Sequence, residues 1–273
     1  MFELADSHGH VTMVFPGPEA RWPTRAATDA EVAGQVGRAR DAGVTRILVP
    51  ATTLDDAPRA VEIAERFDGV YAAVGVHPHE TKGFDEDRVI PALERLAASA
   101  KVVAIGEIGL DYFYDHSPKE DQKRALVAQL SLAGRLGKPV LLHNRESEDD
   151  LLEILETTAR GSPERPRGVF HSFCASTATG ERAIALGYLV SYSGMITFRM
   201  ADNVRESAAA LPLSQMLVET DAPYLAPAPF RGKPNEPALV ARTAARLAEV
   251  KGVSPEEVAR ATTASFRRLF GTP

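Results

Sequence analysis

VVAIGEI, residues 102–108, carries an apolar, β-branched run to a carboxylate, Glu107, set between Gly106 and Gly109. The run has the length of a buried strand. A carboxylate placed there is costly unless it is paired, hydrogen-bonded or bound to a metal. Seven other short apolar runs recur along the chain: FELADS (2–7), RILVPA (46–51), VYAAVGV (70–76), PVLLH (139–143), GVFHSF (168–173), YLVSYS (188–193) and MLVET (216–220). Longer amphipathic stretches separate them. Strands alternating with helix-period segments predict βαβ units and a parallel sheet, and eight such units suit a closed (β/α)8 TIM barrel of the α/β class.

The punctuation agrees. Gly43, Gly69, Gly137 and Gly187 stand where helices should stop, and each can take the left-handed conformation that ends a helix. Thr28 with Glu31 three residues on reads as a capping box, and Ser254 followed by Pro255 as a second helix start. Two stretches are irregular. Residues 11–27, with Pro16, Gly17, Pro18 and Pro23, follow the first strand, and residues 223–237, with five prolines in fifteen positions, follow the last. Long loops after barrel strands lie on the catalytic face.

At 273 residues the chain exceeds the usual single-domain size, but α/β barrels of roughly 250 residues are a regular exception. One barrel domain over residues 1–273 is expected. With 44% hydrophobic and 25% charged residues, the chain can bury a core and keep a solvated surface, which excludes disorder. No apolar run approaches the ~20 residues of a membrane span, and Met1 leads into a strand-like FELAD rather than a basic segment and an apolar stretch. A cytoplasmic monomer with no membrane partner is expected. Cys174 is the only cysteine, so thiolate zinc sites are excluded and any metal must be held by His and carboxylate. A net charge of -6 argues against coating nucleic acid through a broad basic surface. It leaves open an enzyme whose catalytic face alone is positive.

Of seven histidines, all but His116 (His8, His10, His77, His79, His143 and His171) lie at or just beyond the end of a predicted strand, as do Glu107 and Asp221. In a barrel those ends converge on one mouth. Singly, each has an ordinary reading: a hydrogen-bonded core histidine, a salt-bridged glutamate, or, for Asp221, a helix N-cap. His8 and His10, at i and i+2 on a strand, would point to one side and reach one ion. Asp6 would support that pair or simply end the strand. Together His8, His10, Glu107, His143, His171 and Asp221 form a ligand set for two divalent ions with a shared carboxylate, leaving positions open for water and substrate.

DSHGH, GVHPH, GEIGLDY, HNR, FHSF, ETDAPYLAP and RGKPNEP, in this order from Met1 to about Phe270, resemble the TatD-like metal-dependent deoxyribonucleases. The resemblance implies a barrel of the amidohydrolase type, one metal held by His8, His10, Glu107 and Asp221, and a second held by Glu107, His143 and His171. It places His77 at the scissile phosphate. Arg145 can offer a planar guanidinium to phosphate oxygens, its bland alternative being a surface salt bridge. His79, Arg231 and Lys233 complete the expected substrate contacts. Two positions depart from the family pattern: Ser172 stands where a Cys often follows the histidine, and Ser265 replaces a usual Asn. The long segment 11–27 bears on substrate length and preference.

The implied reaction is 3′-to-5′ exonuclease cleavage of single-stranded DNA or DNA ends, with Asp221 orienting or deprotonating water, His77 assisting at the phosphate and Glu107 bridging the ions. His with carboxylate suits zinc or manganese, and the resemblance permits magnesium. One alternative is hydrolysis of an ester, lactone, amide or phosphotriester on the same fold, since fold and metals do not determine substrate. Many such barrels use a carbamylated lysine as the bridge, where this chain has Glu107. A non-enzymatic, metal-bound barrel would need a closed coordination shell, which the polar groups at one mouth and two long loops argue against.

Overall fold

The computed structural model describes residues 2–17, 24–161 and 166–272. All eight apolar runs are strands, and their order in the sheet is their order in the chain: β1 (Leu4–Asp6), β2 (Val44–Pro50), β3 (Val70–Val74), β4 (Val102–Asp111), β5 (Val140–Arg145), β6 (Gly168–Phe170), β7 (Tyr188–Tyr192) and β8 (Met216–Val218). Every adjacent pair is parallel. The helices that alternate with them are α1 (Asp29–Asp41), α2 (Ala57–Arg66), α3 (Glu86–Leu96), α4 (Lys119–Leu136), α5 (Glu148–Gly161), α6 (Thr177–Ala185) and α7 (Asp202–Ala210), with α8 (Val240–Lys251) and α9 (Pro255–Phe270) after β8.

Alternation along the strands divides the core in two. Ala5, Leu48, Ala73, Ala104, Leu141, Val169, Leu189 and Leu217, one from each strand, pack with Phe266, Leu269 and Phe270 of α9 inside the barrel. Their sequence neighbours, such as Leu4, Ile47, Val49, Val74, Ile105 and Val218, face outward into the larger cluster shared with the helices. α9 stoppers the end where the strands begin: Thr263 Oγ1 donates to Glu3 O (3.1 Å) and Ser265 Oγ to Ser214 O (3.0 Å), just before β1 and β8. Ser265 thus serves as an anchor for α9. Among the described residues α9 fills this end of the bore and leaves the opposite end, where the strands finish, open to a ligand.

The expected punctuation is present. Thr28 and Glu31 form the capping box, and Ser254 Oγ accepts from Glu257 N at 3.2 Å. Gly43, Gly69, Gly137 and Gly187 have φ of 84°, 76°, 62° and 91°.

The barrel closes late. β1 and β8 share no extended ladder; Ser7 N donates to Val218 O (3.1 Å), Asp221 N to His8 O (2.8 Å) and His10 N to Ala222 O (2.8 Å), with a parallel bridge between Gly9 and Ala222. The seam is therefore sewn by the residues next to, and including, three candidate ligands. Two expectations need correction here. β1 ends at Asp6, so His8 and His10 lie on the irregular segment beyond it, and strand alternation is not what brings them together. Glu107 lies inside β4, which continues to Asp111, rather than at its end. The long segment after β1 is not all loop: Met13–Val14 pairs antiparallel with Arg25–Ala26, while residues 18–23, including Pro18 and Pro23, lie outside the described residues.

Phe266 is fully buried in the barrel interior, in contact range of Phe270 and Tyr71 (ring centroids 4.7 and 6.3 Å). Truncation to Ala leaves a cavity that the closed strand ring cannot collapse into. Phe266→Ala should lower unfolding stability by about 3–5 kcal/mol, read as a fall in the urea midpoint at unchanged m-value.

Candidate metal centre

Glu107 is aimed by a bulge. Ile105 pairs with Val140 and Ile108 with Leu142, so β4 spends one more residue than β5 across this step, and Glu107 N turns instead to Ala51 O at 3.0 Å. An extra residue of this kind re-aims a side chain. Gly109, with φ of 145°, lies so close to β5 that a Cβ would overlap the His143 carbonyl, which is why only glycine serves there. The Glu107 carboxylate then stands between two groups of donors.

On one side, Glu107 Oε2 lies 3.3 Å from His8 Nε2 and 3.7 Å from His10 Nε2; the two ring nitrogens are 3.0 Å apart. Asp221 Oδ1 is 3.6 and 3.7 Å from the same nitrogens. On the other side, Glu107 Oε1 lies 2.9 Å from His171 Nε2 and 3.1 Å from His143 Nδ1, which are 3.2 Å apart. Tetrahedral ligands with bonds near 2.1 Å stand roughly 3.4 Å from one another, so both groups have the spacing of a ligand shell. The His8 and His171 rings stack at 4.0 Å and join the two groups. His77 Nε2 is 3.3 Å from Glu107 Oε1, at the edge of the second group.

Three acids that the sequence reading did not place among the site residues support the cluster, Asp111 and Glu219 at the ring nitrogens of His143 and His171 and Asp6 at the backbone of His8. Asp111 Oδ2 lies 2.9 Å from His143 Nε2 and 2.8 Å from His79 Nε2, while its Oδ1 accepts from the amides of Phe113 and Tyr114, each at 3.0 Å. Glu219 Oε1 lies 3.2 Å from His171 Nδ1 and accepts from Ser172 N at 2.8 Å. Asp6 accepts from Thr220 N, Thr220 Oγ1 and His8 N at 2.9, 2.6 and 3.3 Å, so it ends β1 and also braces the backbone at His8. A partner on the far nitrogen sets the tautomer and the ring plane of a histidine. The signal was in the sequence: Asp111 and Glu219 follow apolar runs in GLDY and MLVET, where an acid is costly to bury alone. Asn235 was also missed; its amide donates to Thr220 O (2.8 Å) and Tyr224 O (2.7 Å) and folds the proline-rich loop back onto the seam.

The electrostatics divide as the geometry does. Burial lowers His8 and takes His10 down to about 3, leaving neutral rings whose Nε2 atoms converge. Burial likewise pushes Asp221 well above the carboxylate range, against the pull of His171. Burial opposes ionisation of Glu107 as well, but His171, His77, His8 and His143 together outweigh it and hold Glu107 well below its usual value. His171 is the counterpart: burial disfavours its charge, and Glu107 with Glu219 reverse that and raise it well above the ordinary range. The first group thus presents two neutral imidazoles, and the second compensates a buried carboxylate with imidazolium. Divalent cations fit this donor set: they take neutral rings and ionised acids, displacing the protons that otherwise balance it.

The remaining expected residues are dispersed. His79 is at the mouth through Asp111. Arg145, exposed at the end of β5, makes no salt bridge among the described residues; its Cζ lies 4.1 Å from the Phe113 ring centroid and 5.0 Å from that of Tyr114. Arg231 sits over Phe198, 3.6 Å from its centroid, and Lys233 is exposed. Among the described residues, neither makes a side-chain hydrogen bond or ion pair with the His and carboxylate cluster.

The model for TatD-related DNases matches residues 5–271. An uncharacterized metal-dependent hydrolase of Bacillus subtilis, YabD, is 36% identical over 242 residues, 89% of this chain and 93% of that protein. The uncharacterized metal-dependent hydrolase YcfH of Escherichia coli is 40% identical over 227 residues, 82% of each. The crystal structure of YjjV, a TatD homologue from Escherichia coli, superposes with a TM-score of 0.87 at 35% identity, over 99% of this chain and 98% of that one. Match, identity and coverage all run the length of the barrel, and the chain belongs to the TatD-related DNase family.

Proposed function

We propose that this chain is a metal-dependent hydrolase that removes nucleotides from the 3′ ends of single-stranded DNA, using two divalent ions held by His8, His10, Glu107, His143, His171 and Asp221. The observation that carries the reading is the placement of one carboxylate between two donor groups, Glu107 Oε2 toward His8 and His10 and Oε1 toward His143 and His171. The family model and the names of the relatives, all metal-dependent hydrolases, support the reaction class.

Magnesium, manganese or zinc bound there would lower the pKa of a coordinated water and neutralise phosphate charge. The protein's own groups do the rest. Asp221, facing both His8 and His10, would orient the water and, once bound cations had displaced its own proton, receive one from it. Asp111 and Glu219 keep His143 and His171 from rotating away, so the geometry is pre-organised before substrate arrives. His77, lowered to about 4 by burial, stays neutral and can donate a hydrogen bond from Nε2 to the phosphate or the departing oxygen, because its Nδ1 accepts from His79 N. Arg145, with no carboxylate partner among the described residues, is available to the phosphate, with His79 beside it; Arg231 and Lys233 would meet a longer strand farther out. Location in the cytoplasm and action as a single-domain monomer complete the proposal.

Four outcomes test it. Purified protein loaded with one metal at a time should shorten end-labelled single-stranded DNA progressively, faster than duplex and without nicking closed circles; turnover of an ester panel with inert DNA would transfer the site to another substrate class. Arg145→Lys keeps the charge but loses the planar fork, so DNA turnover should drop at normal metal content; a wild-type rate would make Arg145 scaffold. Glu107→Ala takes a ligand from both groups, so metal content and activity should fall together. His77→Ala should keep both ions and lose roughly 100-fold in rate, with circular dichroism confirming that each variant is folded. A metallated, active Glu107→Ala protein would refute the two-ion site, and metal loss in His77→Ala would make His77 a ligand.

A further inference from the structure

The loop after β4 exposes two adjacent aromatic side chains. Phe113 and Tyr114 are 51% and 42% exposed, adjacent, and at the catalytic end of the barrel. Their rings meet edge to face at 4.8 Å, and the Arg145 guanidinium lies against both. His116 stacks beside Tyr114 at 5.6 Å with the ring planes 22° apart. Two large exposed aromatic rings on a surface loop are costly to solvate, and their fixed orientation gives that cost a purpose.

The orientation is not left to the loop. Both amides, Phe113 N and Tyr114 N, donate to Asp111 Oδ1, the carboxylate whose other oxygen contacts His143 and His79. The ring of His79 lies 5.4 Å from that of Tyr114 and 4.4 Å from that of His77. One side chain therefore separates the aromatic pair from the groups that face Glu107. Nucleobases stack on aromatic rings and on arginine planes, and a base held this way leaves its phosphate near a cation. Arg145 supplies that cation within the platform itself.

We propose that Phe113, Tyr114 and Arg145 form a stacking platform for the base of a nucleotide next to the scissile phosphate. This rests on the nucleic-acid reading of the site and adds to it the part that grips the base. Stacking is tolerant of sequence because every base has a π-face, so the platform selects for the presence of a base more than for its identity. The binding is the same in ground state and transition state, and its loss appears in KM.

The test uses single-stranded oligothymidylates, intact or carrying one abasic residue at the terminal or penultimate position, with the metal-loaded full-length protein. In the wild type, one of the two abasic substrates should show a KM about tenfold above that of the intact strand. In Phe113→Leu/Tyr114→Leu that difference should collapse toward unity, and Phe113→Tyr/Tyr114→Trp should restore it. Both positions are exposed, so folding is not at stake, and metal content measured on each variant checks that Asp111 still holds His143. Cleavage of intact and abasic strands with equal KM overturns the platform while leaving the nuclease intact. A wild-type enzyme inert on every strand overturns the nucleic-acid reading, and the platform with it. A wild-type dimer that the leucine variant converts to monomer would assign the rings to a second copy of this chain.

Discussion

Everything at the mouth of this barrel is arranged around the charge of Glu107. A carboxylate buried among side chains at the top of a strand ring loses its water, and no lysine or arginine among the described residues pairs with it; five imidazoles surround it instead. Burial alone would drive Glu107 to the neutral acid, and the histidines reverse that direction. The same crowding leaves His8 and His10 neutral and His171 charged, so protons are distributed unevenly over a small volume. Divalent ions would exchange those protons for a charge that all the donors can share.

Holding the carboxylate there imposes the surrounding architecture. The bulge in β4 turns Glu107 inward, and Gly109 lets β5 approach closely enough to present His143. The seam between β1 and β8 closes beyond the strands, through the backbone of His8, His10 and Asp221, so these candidate ligands also serve as the last stitches of the barrel. Asp221 pays for this with a left-handed backbone, φ 57°, a region that aspartate tolerates better than most residues. At the far end α9 fills the bore with Phe266, Leu269 and Phe270, which makes the two faces of the barrel unequal.

The supporting acids carry the order outward. Asp111 joins His143, His79 and the amides of the aromatic loop, and Glu219 joins His171 to Ser172. A disturbance at the rim is thereby a disturbance of the ring plane of His143 or His171. Arg145 belongs to this outer layer through Phe113 and Tyr114, whereas Arg231 lies over Phe198.

The eight strands, their order and the helix caps could be read from the sequence because each depends on neighbours a few residues away: an apolar run such as VVAIGEI, a Thr28–Glu31 pair, a glycine at Gly137. The donor types were legible for the same reason, since strand-end histidines and acids stand out against apolar runs. What required the tertiary structure was contact across the barrel. That His8 and His10 converge from an irregular segment rather than a strand, that Glu107 is thrown inward mid-strand by an extra residue, and that Asp6, Asp111, Glu219 and Asn235 clamp groups up to 214 positions away are all set by closure of the sheet. Local periodicity carries no information about which oxygen faces which ring once distant strand ends meet; the packing of the closed barrel decides that.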